Sequence, residues 1–342
     1  MLKSSLRVLR VIYKKTQRST KMSKPYLSLS LDMDNQWSYM KIHGEEGWED
    51  YPSYLDIFVP HVLQVLKELD LKITFFIVGQ DAAFEKNHQY LRQIADAGHD
   101  IANHSFKHET WLHLYSKEEM KAEIDSAHDI IHEVTGKAPT GFRGPGFSWS
   151  GTLLEVLAEK GYKYDASTLP TVIGPLARLY YFSTSNLTKE EKEDRKEIFG
   201  KFSDGFKKLK PYFWKTNKNQ KLLELPVTTM PVFRIPFHLS YLIYISNISP
   251  LLMMLYLNIA IFLCKVTKTE PSFLLHPLDL IGGDQITSLA FFPGMNVSSE
   301  RKVFLFKKVM RKLGKHFTLT DMNGHVDDIY DKKGLKTVQV PS

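Results

Sequence analysis

Only one cysteine, Cys264, occurs in the chain, so no intrachain disulfide framework holds the fold, and a reducing compartment suits it. Acidic residues are absent before Asp32, while Lys3, Arg7, Arg10, Lys14, Lys15, Arg18, Lys21 and Lys24 all precede it. No apolar run of secretory length lies there either, because Arg10 interrupts residues 8–13. The expectation is a cytoplasmic protein with a basic arm over residues 1–24. That arm resembles a transit peptide in composition, and Met22 offers an alternative start. Internal repeats, low-complexity tracts, a helix-turn-helix signature and interleaved basic and aromatic clusters are all missing, which argues against nucleic acid as a partner. Ser148, the one elbow-like serine, lacks the correctly spaced second glycine, which argues against a serine esterase.

What remains is a globular composition, 43% hydrophobic and 24% charged over 342 residues, enough for one large α/β domain or two ordinary ones. Apolar strands are predicted near residues 26–31, 73–78, 100–103, 141–143, 162–165, 222–226 and 272–275. Helical patterns fall over 57–69, 87–97, 116–136 and 152–160. Ser116 with Glu119 reads as a capping box, and Gly98 and Gly136 as helix stops. Residues 37–54 read as a loop and 189–209 as a charged helix. The alternation implies parallel strands joined by helices, as a barrel or an open sheet. The division expected is a catalytic domain over 25–325, interrupted by an insertion at about 175–265, with a solvated tail over 326–342.

Polar residues collect at the predicted strand ends. Asp32 and Asp34 share one face of an extended chain and converge on one point. His104 and His108 follow the strand at 100–103, and helical spacing would put both imidazoles on one side. Two histidines and a carboxylate form a catalytic zinc-type set. Ser105 stands where a zincin motif requires glutamate, so the general base must come from elsewhere, and the aspartates supply it. His128 and His132 repeat the spacing but flank the apolar stripe of Met120, Ile124, Ala127 and Ile131, and read as structural. Arg143-Gly144-Pro145-Gly146 combines a carboxylate partner with small residues that let a substrate approach. Asp165 and Leu275-His276-Pro277 end two further strands.

In that order these residues resemble the NodB-homology polysaccharide deacetylases, the fourth family of carbohydrate esterases, over about residues 26–280. Asp32-Met33-Asp34 is similar to the first motif in its Asp-x-Asp branch, and His104-Ser105-Phe106-Lys107-His108 to the metal motif. Arg143 to Gly146 matches the third motif and Leu275-His276-Pro277 the fifth. Asp165 stands where the fourth begins, with Leu169 in the place often held by tryptophan. The resemblance implies a distorted (β/α)7 barrel with a hydrophobic insertion before the last strand. It also implies a divalent ion, most readily Zn2+, on Asp34, His104 and His108. Asp32 would be the base, oriented by Arg143, and His276 the acid, held by Asp165. Pro145, Gly146 and Leu275 would line the substrate, and a backbone N–H near Phe106 or Gly146 would meet the oxyanion. The substrate implied is an N-acylated amino sugar of a polysaccharide or lipid-linked precursor. The alternatives are a cyclic-amide or ureide hydrolase on the same scaffold, or a metal-free carbohydrate-binding protein.

Residues 235–264 contain no Asp, Glu, Lys or Arg. The run is longer than a bilayer requires, but motif residues lie on both sides of it, so one crossing would split the site. Asn247-Ile248-Ser249-Pro250 breaks it into two short halves. The expectation is a helical hairpin over residues 235–264, either buried in the protein or lying in the membrane interface as a peripheral contact, with the interface favoured because so large an apolar run usually meets a partner.

Overall fold

A computed structural model of the chain describes residues 24–174, 207–332 and 334–341. The arm over 1–23 and most of the charged stretch at 189–209 therefore lie outside the described residues. Strand β1 (Tyr26–Asp32) is buried along almost its whole length. Its leucines, Leu27, Leu29 and Leu31, join the apolar layer under the helices. The alternate residues face the barrel interior, where Ser28 bonds His325 and Ser30 bonds Arg143. Strands β2 (Thr74–Ile77), β3 (Asp100–Asn103), β4 (Gly141–Phe142) and β5 (Tyr164–Asp165) follow in parallel. A hairpin then pairs β6 (Tyr212–Lys215) with β7 (Lys221–Glu224), and β7 lies parallel to β5. Strand β8 (Ser272–Leu275) returns beside β1. Closure comes just past β7, where the Thr228 N–H donates to the Ser272 carbonyl at 3.0 Å. Seven parallel strands, β1 to β5, β7 and β8, thus form the expected distorted (β/α)7 barrel.

Helices cover the outside. Helix α1 (Gln36–His43) occupies part of what the sequence presents as a loop. Asn35 caps it, and a Gly44 at φ 82° ends it. Four more follow in chain order: α2 (Leu55–Glu68), α3 (Gly79–Ala83), α4 (Glu85–Asp96) and α5 (Lys117–Thr135). The Ser116–Glu119 capping box opens α5 as expected, and Gly136 in the left-handed region closes it. Next are α6 (Gly151–Lys160), α7 (Leu239–Ile248) and α8 (Pro250–Thr267). The break at Ser249 and Pro250 makes α7 and α8 a hairpin, as its residues predict. Helix α9 (Ser299–Gly314) leads to β9 (Thr318–Thr320), which pairs with the start of β1. Helix α10 (Met322–Asp331) and β10 (Thr337–Gln339), paired to β6, complete the chain.

Two boundaries are corrected. The expected insertion at 175–265 contains β7, a barrel strand, so the added element before the last strand is the α7–α8 hairpin. The expected solvated tail at 326–342 begins inside helix α10, whose Val326 and Ile329 are buried, and the described residues become mostly exposed only from Tyr330 on. Met322, Val326 and Ile329 of α10 pack with Phe76, Ala102, Tyr164 and Leu223 from the barrel interior. The Met322 N–H donates to Thr74 Oγ1 and Asn323 donates to Asp100, so α10 plugs the end of the barrel where strands begin. Polar residues on its other side disguise it in the sequence.

Candidate active site and metal centre

Strand register decides which residues meet at the opposite end. Asp32 pairs with Phe76, Ile77 with Asn103, Asn103 with Phe142, Phe142 with Asp165, and Leu31 with Leu275. Asp32, His104, Arg143 and His276 therefore leave their strands at nearly one level.

Arg143 lies fully buried beneath this level. Its Nη1 donates to Asp32 Oδ1 at 2.5 Å and to Ser30 Oγ at 3.0 Å, and its Nε to the Ala166 carbonyl at 3.2 Å. The guanidinium stacks on Phe76, 4.2 Å from the ring centroid. A buried arginine requires this many partners, since desolvation of an unpaired one costs several kcal/mol.

Above it, Asp34, His104 and His108 bring one donor atom each within 4.8 Å of one another. His108 Nε2 is 2.9 Å from Asp34 Oδ1 and His104 Nε2 is 3.5 Å from it. His104 Nδ1 donates to the Arg143 carbonyl at 2.6 Å, which leaves Nε2 directed at the cluster. Tyr54 donates to the Asp34 carbonyl from behind. Burial opposes ionisation of Asp34, but the charges and hydrogen bonds of His108 and His104 outweigh it and hold the carboxyl far below its usual range. Two imidazoles and a carboxylate on one point suit a divalent ion such as zinc, with positions left for water and substrate.

The two histidines do not converge through a helix, as their spacing suggests. They bracket a loop after β3 in which Ser105 (φ 62°) and His108 (φ 57°) adopt left-handed conformations. Asn103 Oδ1 accepts from the Ser105 N–H, and Glu123 of α5 accepts from the Phe106 and Lys107 N–H groups at 3.0 and 2.9 Å. That bond removes Phe106 from the oxyanion role expected of it. The spacing of His128 and His132 is used on α5 instead, where His128 meets the Tyr162 hydroxyl at 3.1 Å.

Two further expectations are corrected by strand alternation. Tyr164 and Ala166 take the inward positions of β5, so Asp165 points outward. There it accepts from Ser167 Oγ at 2.6 Å and lies against Glu224, itself bonded by Thr168 and Trp214. Burial raises both carboxyls, and the charge of Asp165 raises Glu224 further. Ser167 also accepts the Gly144 N–H at 2.8 Å, which ties Asp165 to the Arg143 turn rather than to His276. The acid beside His276 is Asp279, whose Oδ2 accepts the His276 N–H at 2.9 Å and lies 3.9 Å from Nδ1. Leu275 likewise packs outward with Leu31, whereas Leu274, paired with Ser30, shares the inward face with His276. In the third motif, Gly146 has φ 60°, and a Cβ there would lie 2.9 Å from Thr110 Cγ2; one on Gly144 would lie 2.0 Å from the Ser148 carbonyl oxygen. Glycine at 144 and 146 therefore lets this turn fold tightly against Ser148 and Thr110.

Sequence reasoning missed Tyr39, His238, Asp279 and Glu123. Tyr39 is buried and its hydroxyl has no hydrogen-bond partner among the described residues. Burial, then the charges of Asp34, Tyr54, Asp279 and Asp32, keep it protonated, so a lone donor faces the site's carboxylates. His238, 6.2 Å from His276 between ring centroids, is pushed down to about 3 by burial and then by His276 and Arg143. Only Asp279 had a local signal, a capping position three residues after His276.

Residues 47–164 match the family model for polysaccharide deacetylase, a stretch that includes His104, His108 and Arg143. A peptidoglycan deacetylase of Helicobacter pylori is 31% identical over 133 residues, covering 37% of this chain and 44% of that protein. A peptidoglycan deacetylase-like protein of Gibberella zeae is 27% identical over 163 residues, 46% of each. The chain thus spans less than half the length of these curated relatives. In three dimensions it is similar to a Mycobacterium smegmatis structure described as a polysaccharide deacetylase. The TM-score is 0.57 and the identity 17%, over 94% of this chain and 97% of that one, which establishes the shared fold. Over residues 47–164 the chain thus carries the pattern of the polysaccharide deacetylases, and over nearly its whole length it shares the fold of the Mycobacterium smegmatis structure.

Proposed function

We propose that the chain is a metal-dependent amide hydrolase of the Asp-x-Asp branch that removes an N-acetyl or N-formyl group from an amino sugar. The observation that carries this reading is the Asp34, His104 and His108 donor set directly beside the buried Asp32–Arg143 pair. A divalent ion on those donors, zinc by their chemistry, would polarise an acyl carbonyl and acidify a bound water. Asp32 takes the proton from the attacking water, and Arg143 fixes the direction of its carboxylate. The Tyr39 hydroxyl donates to a substrate oxygen on the same side. His276, half-exposed at the rim with Asp279 against it, passes a proton to the departing amine. Leu274, Pro145 and Gly146 bound the space for the acyl group. Asp165 acts at one remove, holding the Gly144 turn through Ser167.

The test is mass spectrometry of N-acetylated chitooligosaccharides and peptidoglycan fragments after incubation with the zinc-loaded full chain. Release of acetate with a free amine on the sugar is expected, and Asp32→Asn should slow it by about 10²–10⁴. Tight sugar binding with no product at any metal loading would sink the hydrolase reading.

A further inference from the structure

Helix α8 buries Met253, Leu257, Ala260, Ile261 and Cys264 against the barrel. Its opposite side carries Leu251, Leu252, Leu255, Ile259, Phe262 and Val266, a stripe at helical spacing in which Leu251 is 80% exposed. Helix α7 extends the same apolar character with exposed Tyr244 and Ile248. A surface helix ordinarily turns charged residues outward, yet Lys265 is the single charged residue of α7 and α8. Eight large exposed apolar side chains on one hairpin are more than the scatter normal for a soluble surface.

Charge is arranged around this face. Lys265 and Lys268 stand at the end of α8. Lys24 donates to the Gly314 carbonyl at the end of α9, and Lys312 and Lys315 lie on the same corner. Burial and then Lys265, Lys312, Lys24 and Lys315 together depress the His316 imidazole, which places all four cations around one point. Lys24 is also where residues 1–23 join, a segment with seven Lys and Arg and no acid. An apolar stripe ending in a cationic corner, from which a cationic segment departs, complements hydrocarbon beneath anionic headgroups. Each such cation near that surface adds attraction to anionic lipid.

We infer that the α7–α8 hairpin docks this protein on an anionic lipid bilayer. The hairpin is rooted at the active site. Helix α7 starts at His238 beside His276, its Ser240 bonds Asp279, and ten residues at 1.5 Å each place its far end roughly 15 Å away. The docking stands apart from the proposed activity. Its consequence, that an amino sugar carried on a lipid comes within reach of His276, rests on that reading.

Flotation of the full chain with vesicles of phosphatidylcholine and phosphatidylglycerol, against phosphatidylcholine alone, tests it. The chain should float with the anionic vesicles. Leu255→Asp with Phe262→Asp should cut the bound fraction at least tenfold at an unchanged melting temperature, and Lys312→Glu with Lys315→Glu should erase the preference for anionic lipid. Leu251→Glu, at the most exposed position, serves as a second apolar variant should the double one unfold. Failure of the parent to float with either vesicle, or equal flotation of folded apolar variants, overturns the inference. So does a dimer that these variants dissociate in sedimentation without any vesicle binding, which assigns the face to a second copy. Because the readout is binding, loss of hydrolysis leaves the result untouched.

Discussion

Arg143 and Asp32 hold each other in a place water does not reach, with side-chain exposures of 0% and 6%. Removing the cation strands the carboxylate, so Arg143→Ala should lose roughly 3–5 kcal/mol of stability in urea denaturation. Asp32→Asn keeps the shape and a hydrogen bond. It should retain fold and metal while kcat falls by about 10²–10⁴, the usual cost of a lost general base. If that variant instead lost its metal and kept full turnover per remaining ion, Asp32 would be a ligand rather than the base. Tyr39→Phe removes only the unpartnered hydroxyl and should lower kcat about fivefold to tenfold without loss of stability. His238 contributes one destabilising component at acid pH. Folded, it stays neutral down to about 3, while the unfolded chain takes up the proton near 6.5. Through this group alone, falling pH favours unfolding across that window by about 1.4 kcal/mol per pH unit. His238→Asn should lose less stability than the parent between pH 7 and pH 5, and equal losses in urea titrations would contradict this.

At the level of elements, the site depends on loops anchored by neighbours in space. The His104–His108 loop is held by Glu123, which lies on α5 and offers one carboxylate oxygen to two N–H groups. Glu123→Ala should leave the helix intact and weaken metal binding about 10- to 100-fold, as measured by competition with a chelating dye. The motif residues were legible in the sequence because each follows a strand, and strands at one level bring their ends together. Their directions were less legible. Strands β4 and β5 are two residues long, too short to show an alternation, so Asp165 read as inward although Tyr164 and Ala166 occupy those positions. Leu274 and Leu275 are both apolar, and only pairing with Ser30 and Leu31 separates pocket from core. The four-residue histidine spacing fits a helix as well as a loop, and the left-handed Ser105 that decides between them leaves no compositional trace.

For the whole molecule, the parallel barrel followed from alternating apolar strands and helical stripes, while its ends did not. Helix α10 reads as polar because one face of it meets solvent, yet Met322, Val326 and Ile329 fill the barrel's lower end. Strand β7 was recognised but assigned to an insertion, since nothing local reveals that Thr228 closes the ring on Ser272. The hairpin between β7 and β8 was readable from its missing charges and its Ser249-Pro250 break. In this arrangement the closed barrel fixes one end of every strand that carries a motif residue, and the three candidate ligands come from two strand ends and one loop. The most direct measurement is deacetylation of an N-acetylated chitooligosaccharide by chelator-stripped full chain as zinc is returned stepwise. The account predicts no turnover without metal, a rise to a plateau at about one equivalent, and no rise in His104→Ala. Turnover that persists in the stripped protein, or that His104→Ala restores equally, would contradict it.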